Sequence, residues 1–271
     1  MLIPSRALRL NANAGQPLPH VPDLAALYEI GFHPRRGQLI MVAGRSGSQK
    51  SGFVMWWLDQ MDLTTLYFSG DMSPFTASAR IASTRYGAST DDIEAILKRN
   101  DEQTVDLMRT LGGSKMQFSF GSPITWRAVE EELRAYVEIH NRYPEAVVFD
   151  NLMDFDGAES DYSAQMETMQ YITEFTRETG STVIVMHHAS DKAMDKRYPY
   201  KPPSRADVKG GLAEKPELSL GVALDNASLD FNIAVLKQRM GSQDPSGEQY
   251  VSIKCIPELT RFEGKRLQHI H

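Results

Sequence analysis

Short apolar runs rich in β-branched residues alternate along this chain with segments of helical spacing. The apolar runs cover residues 38–43, 64–69, 116–120, 145–150 and 182–186. Between them, residues 124–140 and 163–179 repeat apolar side chains at the spacing of an amphipathic helix. Because continuous apolar strands need cover on both faces, this alternation predicts an α/β fold with a mainly parallel central sheet and helices on both sides.

The two ends of the chain have different patterns. Residues 1–30 carry several prolines and little apolar periodicity, so we expect an N-terminal arm with at most one short helix. Residues 31–271 are then expected to form one domain. Past about Leu218, strand-like runs follow one another with only short turns, which predicts C-terminal β-hairpins on the sheet. These runs cover residues 217–225, 230–239 and 248–256.

The composition excludes several classes of protein. No apolar run approaches the roughly 20 residues that span a bilayer, and the N-terminus is too broken by charge for a secretory signal. The single cysteine, Cys255, allows no intramolecular disulfide, which fits a reducing cytoplasm. With a net charge of -6, the chain would have to bind nucleic acid through a local basic surface.

A glycine- and serine-rich loop follows the first apolar run and precedes a plausible helix at residues 53–61. Its spacing resembles that of a phosphate-binding loop, in which main-chain N–H groups surround phosphate oxygens at a helix N-terminus. A lysine of such a loop reaches the β- and γ-phosphates of ATP, and a serine hydroxyl binds Mg²⁺. The predicted cofactor-binding residues are Gly44, Arg45, Ser46, Gly47, Ser48, Gln49, Lys50 and Ser51.

Gln49 departs from the usual loop, which has a glycine at that position. Glycine permits backbone angles that a side chain resists, so the glutamine is expected to cost about 1 kcal/mol of strain. The phosphate donors are main-chain groups, and part of the cradle therefore survives this change. An ordinary surface turn of Gly and Ser followed by a lysine is the alternative interpretation of the same residues.

Asp150 ends the buried run at residues 145–150. An aspartate there lies at the carboxyl edge of a parallel sheet, beside a loop that follows another strand, and can hold Mg²⁺ together with Ser51. The alternative is an aspartate that merely begins a turn. Because both features occur in the expected order, each after an apolar strand, together they favour a nucleoside triphosphatase.

Residues 67–83 make the comparison more specific. Ser69, Asp71, Met72 and Ser73, followed by Arg80 in a helix, resemble the second-strand motif of the RecA-fold motor domain of DnaB-type (RepA-like) hexameric replicative helicases. The resemblance covers most of residues 31–265. It continues, in the family's order, through residues 122–155, 181–191, 204–220 and 237–241.

This resemblance implies a role for each matching residue. Lys50 and Ser51 would bind the triphosphate and magnesium, Asp150 would be the second-motif carboxylate, and Asp71 would polarise the attacking water. His188 falls where the family has a glutamine that senses the γ-phosphate. Two further residues, Lys237 and Arg239, match the pair that reaches into the neighbouring subunit's nucleotide in a ring. The alternative interpretation of these two residues is a pair of solvated charges at a hairpin tip.

The departures from the family pattern fall at Gln49, Asp71 and His188, all of them chemical positions. They suggest slow or unusually regulated hydrolysis, or a nucleotide-binding assembly factor with little turnover. A recombinase-like strand-exchange ATPase is a further alternative. Only about 30 residues precede the core, so we expect a stand-alone motor without the family's primase-binding domain. Such motors are often encoded by phages and plasmids, which would place this one in the cytoplasm of a bacterial host.

A basic segment, residues 189–216, is the predicted site for single-stranded DNA. It holds seven Lys or Arg and four Asp or Glu, a balance of 7 - 4 = +3. Long segments without periodicity inside a compact domain are usually functional or disordered, and basic side chains suit phosphate contacts. A surface loop is the alternative. The candidate contacts are Lys192, Lys196, Arg197, Arg205 and Lys209.

Overall fold

The computed structural model describes residues 15–159, 161–190 and 200–265. These residues build one nine-stranded sheet in the order β3-β2-β4-β5-β1-β6-β7-β8-β9. The strands are β1 (Leu39–Gly44), β2 (Thr65–Ser69), β3 (Met116–Ser119), β4 (Ala146–Asp150), β5 (Thr182–His188), β6 (Leu218–Asp225), β7 (Asp230–Gln238), β8 (Tyr250–Ile256) and β9 (Arg261–Glu263).

Apart from α1, which precedes β1, the helices lie between these strands, as the sequence pattern predicts. They are α1 (Ala25–Glu29), α2 (Lys50–Gln60), α3 (Pro74–Tyr86), α4 (Thr90–Arg99), α5 (Glu102–Gly112), α6 (Trp126–His140) and α7 (Tyr162–Thr179). Several begin with a side chain that accepts a main-chain N–H, such as Ser73 before α3 and Thr125 before α6. These caps satisfy donors that the first helical turn leaves unpaired.

The sheet has a parallel part and an antiparallel part. Strands β1 to β6 pair in parallel, and β6 to β9 continue as antiparallel neighbours. The predicted fold class, an α/β domain with a mainly parallel sheet and C-terminal hairpins, is therefore confirmed. Strand β9 is an addition to the three C-terminal strands that the sequence indicated.

Strand β1 shows why the sheet needs helices on both faces. Ile40 and Val42 belong to the core that also contains the large side chains of α2, among them Trp56 and Trp57. Successive strand residues point to opposite faces, so Met41 packs on the other side, in the core that α7 covers. All six residues of β1 are buried. Burial on both sides explains the continuous apolar runs in the sequence.

Three helices, α3 to α5, connect β2 to β3 and have a small core of their own. Ala82, Ile93, Ile96 and Leu107 are its buried members. The sequence pattern did not separate α4 and α5. Each buries only one or two side chains, so the apolar signal is short.

The described part of the predicted N-terminal arm packs on the domain. Leu18, Val21, Leu24 and Leu27 are buried in the larger core, and α1 is the one short α-helix in residues 15–30. The amide of Gly264, just past β9, donates to the carboxylate of Asp23, 2.9 Å away. The boundary at residue 30 remains a prediction.

Among the described residues, no helix combines the length and the apolar character that crossing a bilayer requires.

Candidate functional site

The loop between β1 and α2 has the backbone of a tight phosphate-type turn. Gly47 has a positive φ of 73°, and Gln49 sits in the left-handed region at φ 62° and ψ 24°. Gln49 therefore adopts the backbone conformation that favours glycine. It differs from the glycine of the usual phosphate-binding loop in its side chain only. The left-handed angles cost a non-glycine residue about 1 kcal/mol.

Gly44 is the loop residue that must be glycine for lack of space. A Cβ atom there would lie 2.6 Å from Ser48 Oγ and 2.8 Å from the carbonyl oxygen of Val222 in β6. The amide of Ser48 donates to the carbonyl of Arg45 at 3.3 Å. The loop thus folds back on the end of β1, which turns its middle toward the carboxyl edge of the sheet.

Lys50 is the first residue of α2, and only 7% of it is exposed. Its Nζ donates to the main-chain carbonyls of Gly44 and Arg45, at 3.0 Å each. The same atom is 3.4 Å from Nδ1 of His188. The ammonium group is thus held inside the loop, where a phosphate would find a positive charge of low solvation.

Asp150 ends β4 and is 3% exposed. Its Oδ2 accepts a hydrogen bond of 2.8 Å from the hydroxyl of Tyr67, and the Ser51 hydroxyl also bonds to its carboxylate. Burial raises the pKa of Asp150 to about 6, although the hydrogen bonds from Ser51 and Tyr67 and the charge of Lys50 oppose that shift. An anionic Asp150 therefore costs free energy, which a cation beside it would offset.

Tyr67 was given no role on the basis of the sequence. Its hydroxyl is fully buried in β2, and burial followed by the negative charge of Asp150 raises the pKa of Tyr67 well above its usual value. The signal in the sequence was a tyrosine in the middle of a strand expected to be buried, because a buried hydroxyl needs a hydrogen-bond partner. Its partner, 83 positions away, could not be identified without the strand order.

Lys50, Ser51 and Asp150 line one polar cleft of about 180 Å³ at the carboxyl edge of the sheet. Of the predicted catalytic and metal residues, the cleft brings together Lys50, Ser51, Asp71, Asp150 and His188. Asp71 is exposed at the rim rather than buried. The cleft is also lined by Arg80 and Asn151 and by loop residues 46–49.

The turn after β4 shapes one side of this cleft, and the sequence pattern gave it no role. The amide of Asn151 donates to Asp154 Oδ2 at 2.9 Å. The side-chain oxygen of Asn151 accepts from the amide of Met153 at 2.8 Å, which leaves its Nδ2 3.5 Å from Nε2 of His188. Burial and then the charge of Asp71 raise the pKa of Asp154.

Lys237 and Arg239 lie away from this cleft, toward the side of the sheet where the parallel strands begin. Lys237 pairs with Ser219 near the start of β6, whereas Gly44 pairs with Val222 farther along that strand. Nζ of Lys237 donates to the carbonyls of Pro216, at 2.7 Å, and of Glu214. Burial, followed by the charge of Arg239, lowers the pKa of Lys237.

Arg239 is exposed and borders a separate cleft of about 380 Å³ with Arg177, Glu214 and Lys215. Neither Lys237 nor Arg239 lines the cleft that contains Lys50. Within one chain, the two groups of predicted residues are therefore not brought together.

The predicted nucleic-acid contacts are only partly described. Lys192, Lys196, Arg197 and the side chain of Lys209 lie outside the described residues. Arg205 is half-buried in a 3₁₀ turn, Arg205–Asp207, and its amide donates to the carbonyl of Pro245 at 2.8 Å.

The middle of the basic segment contacts the phosphate-type loop. Nη1 of Arg45 donates to the carbonyl of Lys201 at 3.1 Å. Beside this contact lies a second cavity of about 480 Å³. Its lining residues are Arg45, Ser46, Gly47, Ser48, Tyr200, Ala223, Leu224, Asp225, Asn226 and Ala227.

The described residues have a RecA-like α/β fold, with the candidate site at the carboxyl edge of its sheet. A family model described as "AAA domain" matches residues 22–194, and the chain belongs to that family. Two curated phage proteins are similar over nearly their whole length. The "Gene 65 protein" of Mycobacterium phage L5 is 33% identical over 270 residues, covering 97% of this chain and 98% of the relative. The "Gene 65 protein" of Mycobacterium phage D29 is 27% identical over 236 residues, covering 83% and 98%.

Solved structures show the same fold at low sequence identity. One of them, described as an "ATPase Domain", has a TM-score of 0.74 and 16% identity, with 95% of each chain covered. A DnaB-like replicative helicase, solved in a study of its interactions with primase, also has a TM-score of 0.74 and 16% identity. That match covers 95% of this chain and 66% of the helicase chain. The resemblance predicted from the sequence is confirmed as a shared fold.

Proposed function

We propose that this protein is an ATP-dependent motor of the hexameric replicative-helicase type, a DNA-dependent ATPase that moves on single-stranded DNA. The observation that carries the proposal is the convergence of Lys50, Ser51 and Asp150 on one polar cleft at the carboxyl edge of a RecA-like sheet. A loop ahead of a helix N-terminus with a buried lysine is suited to a polyphosphate.

The residues of the cleft fit magnesium as well as ATP. Ser51 and Asp150 offer oxygen atoms, which Mg²⁺ prefers, and they are already hydrogen-bonded to each other. Bound magnesium would neutralise charge that develops on the phosphates during their transfer. In this proposal Gly44 to Gln49 surround the phosphates with main-chain N–H groups, and Lys50 exchanges its two carbonyl partners for phosphate oxygens.

Asp71 and His188 are the proposed polar partners of the reaction. Asp71 would orient the attacking water from the rim of the cleft, with a side chain one methylene shorter than the glutamate of the helicase family. His188 would sense the γ-phosphate. It lies between Lys50 and Asn151, so its contact with Lys50 would change when the lysine moves toward the phosphate.

Lys237 and Arg239 are proposed to act on the nucleotide of a neighbouring subunit in a homo-hexameric ring. Their distance from the chain's own cleft and the exposure of Arg239 support action in trans. An arginine supplied in this way stabilises the charge of the transferred phosphoryl group.

The basic segment, residues 189–216, is the proposed contact with single-stranded DNA, through Lys192, Lys196, Arg197, Arg205 and Lys209. The phage origin of the similar Gene 65 proteins supports a phage-encoded protein. A role in DNA replication, in the cytoplasm of the bacterial host, belongs to the same proposal.

The proposal is tested by ATP hydrolysis with and without single-stranded DNA. The wild-type protein should hydrolyse ATP, and DNA should stimulate the reaction. Lys50→Ala should abolish both activities, whereas Lys98→Ala, on the exposed side of α4, should leave them unchanged. Absence of hydrolysis by the wild-type protein under all these conditions would refute the motor.

A second candidate is a nucleotide-binding assembly factor with little turnover. The exposure of Asp71 favours it, because a solvent-exposed carboxylate is less well held to orient the attacking water. This candidate predicts ATP-dependent self-assembly that survives Asp71→Asn, together with negligible hydrolysis by the wild-type protein. Electron microscopy and a phosphate-release assay on the same samples would separate it from the motor.

A further inference from the structure

The cavity of about 480 Å³ is continuous with the phosphate-type loop. It shares Ser46, Gly47 and Ser48 with the smaller cleft that contains Lys50. Its volume lies in the range of small-molecule sites, roughly 300–1,000 Å³. A ligand with phosphates in the smaller cleft would therefore have space for a second, uncharged part in the larger cavity.

Tyr200 lines this cavity, and its main chain is anchored on one side by a buried amide. The carbonyl of Tyr200 accepts a hydrogen bond of 2.8 Å from Nδ2 of Asn232, which is 3% exposed. The oxygen of that amide accepts in turn from the Ser252 hydroxyl at 2.6 Å. Hydrogen bonds at both the nitrogen and the oxygen of the amide therefore fix the orientation of Asn232.

The next residue is anchored by the phosphate-type loop itself. Arg45 Nη1 donates to the carbonyl of Lys201 at 3.1 Å, while the Lys201 side chain pairs with Glu248 at 2.8 Å. Two consecutive carbonyls, those of Tyr200 and Lys201, are thus held by residues from β7 and from the loop. This arrangement holds an aromatic residue at the wall of a cavity that adjoins the proposed phosphate site.

We infer that Tyr200 contacts the base of the bound nucleotide, and that Arg45 and Asn232 are positioning residues that hold it there. The ligand is a nucleoside triphosphate whose base lies in the 480 Å³ cavity and whose phosphates lie in the adjoining cleft. The inference rests on the proposed function, because that proposal places the phosphates of the nucleotide in the cleft that contains Lys50. An aromatic side chain can stack on any base, so Tyr200 supplies affinity for the nucleoside rather than for the phosphates.

The test compares two probes, ATP and inorganic tripolyphosphate, by titration calorimetry with magnesium. Tripolyphosphate carries the charge of the nucleotide without the base. Tyr200→Ala should weaken ATP binding about tenfold, as expected for loss of one base–aromatic stack, and leave tripolyphosphate within about twofold. Tyr200→Phe should retain the affinity of the wild-type protein for ATP.

Tyr143→Ala serves as the matched control, since Tyr143 is an exposed tyrosine that lines neither cavity. It should change neither titration. Equal weakening of ATP and tripolyphosphate by Tyr200→Ala, or no effect on ATP, would overturn the inference while leaving the phosphate site intact. If the wild-type protein bound neither probe, the proposed function would fail, and the base contact with it.

Discussion

Nζ of Lys50 lies 3.4 Å from Nδ1 of His188, although 138 positions separate the two residues. The contact follows from strand pairing, because Gly44 at the end of β1 is directly opposite His188 at the end of β5. A lysine ammonium can only donate hydrogen bonds. The contact is therefore a hydrogen bond in the tautomer whose Nδ1 is unprotonated.

The first prediction concerns that contact. His188→Gln should keep steady-state ATP hydrolysis within a few-fold of the wild-type rate, because an amide can also accept from Lys50. His188→Leu removes the acceptor and should slow hydrolysis about tenfold or more, since a hydrogen bond to a charged group contributes roughly 1.5–3 kcal/mol. A leucine variant as fast as the glutamine variant would show that this contact has no part in the reaction.

The second prediction concerns the buried carboxylate of Asp150. Its pKa is about 6 in the fold against an ordinary value of 3.8, so the folded protein binds a proton more tightly than the unfolded chain. Between these two pH values stability is lost as the pH rises, and above about pH 6 the full penalty remains, up to about 3 kcal/mol. Asp150→Asn should therefore raise the free energy of unfolding at pH 7.5, and the gain should shrink toward pH 4.

Urea unfolding at both pH values, without nucleotide or magnesium, measures this effect. Asp71→Asn is the control, because Asp71 is exposed and its carboxylate stays in water. It should give no comparable gain. If Asp150→Asn is less stable than the wild-type protein at pH 7.5, burial of the carboxylate is not the dominant cost.

The third prediction concerns Gln49. Glycine adopts its left-handed angles freely, so Gln49→Gly should raise the free energy of unfolding by up to about 1 kcal/mol. Gln49→Ala keeps a Cβ at the same φ and should give no such gain. The comparison by urea unfolding isolates backbone strain from loss of the amide side chain. Equal stability of the glycine and alanine variants would argue against strain at this residue.

The fourth prediction tests whether Arg239 acts in trans. Lys50→Ala and Arg239→Ala proteins should each be inactive and should recover activity when mixed. In randomly mixed rings with equal amounts of both, about a quarter of the subunit interfaces join an intact Lys50 to an intact Arg239, as cyclic symmetry requires. The hydrolysis rate should then approach that fraction of the wild-type rate.

A mixture of Lys50→Ala with Asp150→Ala is the matched control for this experiment. Lys50 and Asp150 belong to the same cleft of one chain, so no interface in that mixture would have both. It should stay inactive. Recovery in the control, or none in the test mixture, would count against a shared site between subunits.

The fifth prediction concerns DNA binding by Arg205. Arg205→Ala should weaken binding of a labelled oligothymidylate at all salt concentrations. It should also reduce the slope of log affinity against log salt by about 0.7, the value for one lost phosphate contact on a single strand. Arg127→Ala removes an exposed arginine of α6 and should change neither quantity. Fluorescence anisotropy over a series of KCl concentrations measures both, and an unchanged slope for Arg205→Ala would remove this residue from the interface.

Much of the fold was predictable because its signals are local. The buried parallel strands are continuous apolar runs. Asp150 ends one of them, and the loop that leads to Lys50 begins directly after another. Helices α4 and α5 were missed because each buries few side chains. The roles of Asn151 and Asp154 were missed for a different reason, since their hydrogen bonds form within a short turn whose geometry no spacing rule predicts.

The alternation of strands and helices, and the chemical type of each residue at the strand ends, can be read directly along the chain. Which of those residues meet depends on how the strands are arranged in the folded sheet. The order β2-β4-β5-β1 lays the ends of four strands side by side. In this way Tyr67 meets Asp150, and Lys50 meets His188. Strand order depends on the packing of the whole chain. Segments far apart in the sequence pair through main-chain hydrogen bonds, and these bonds are nearly the same for every residue type.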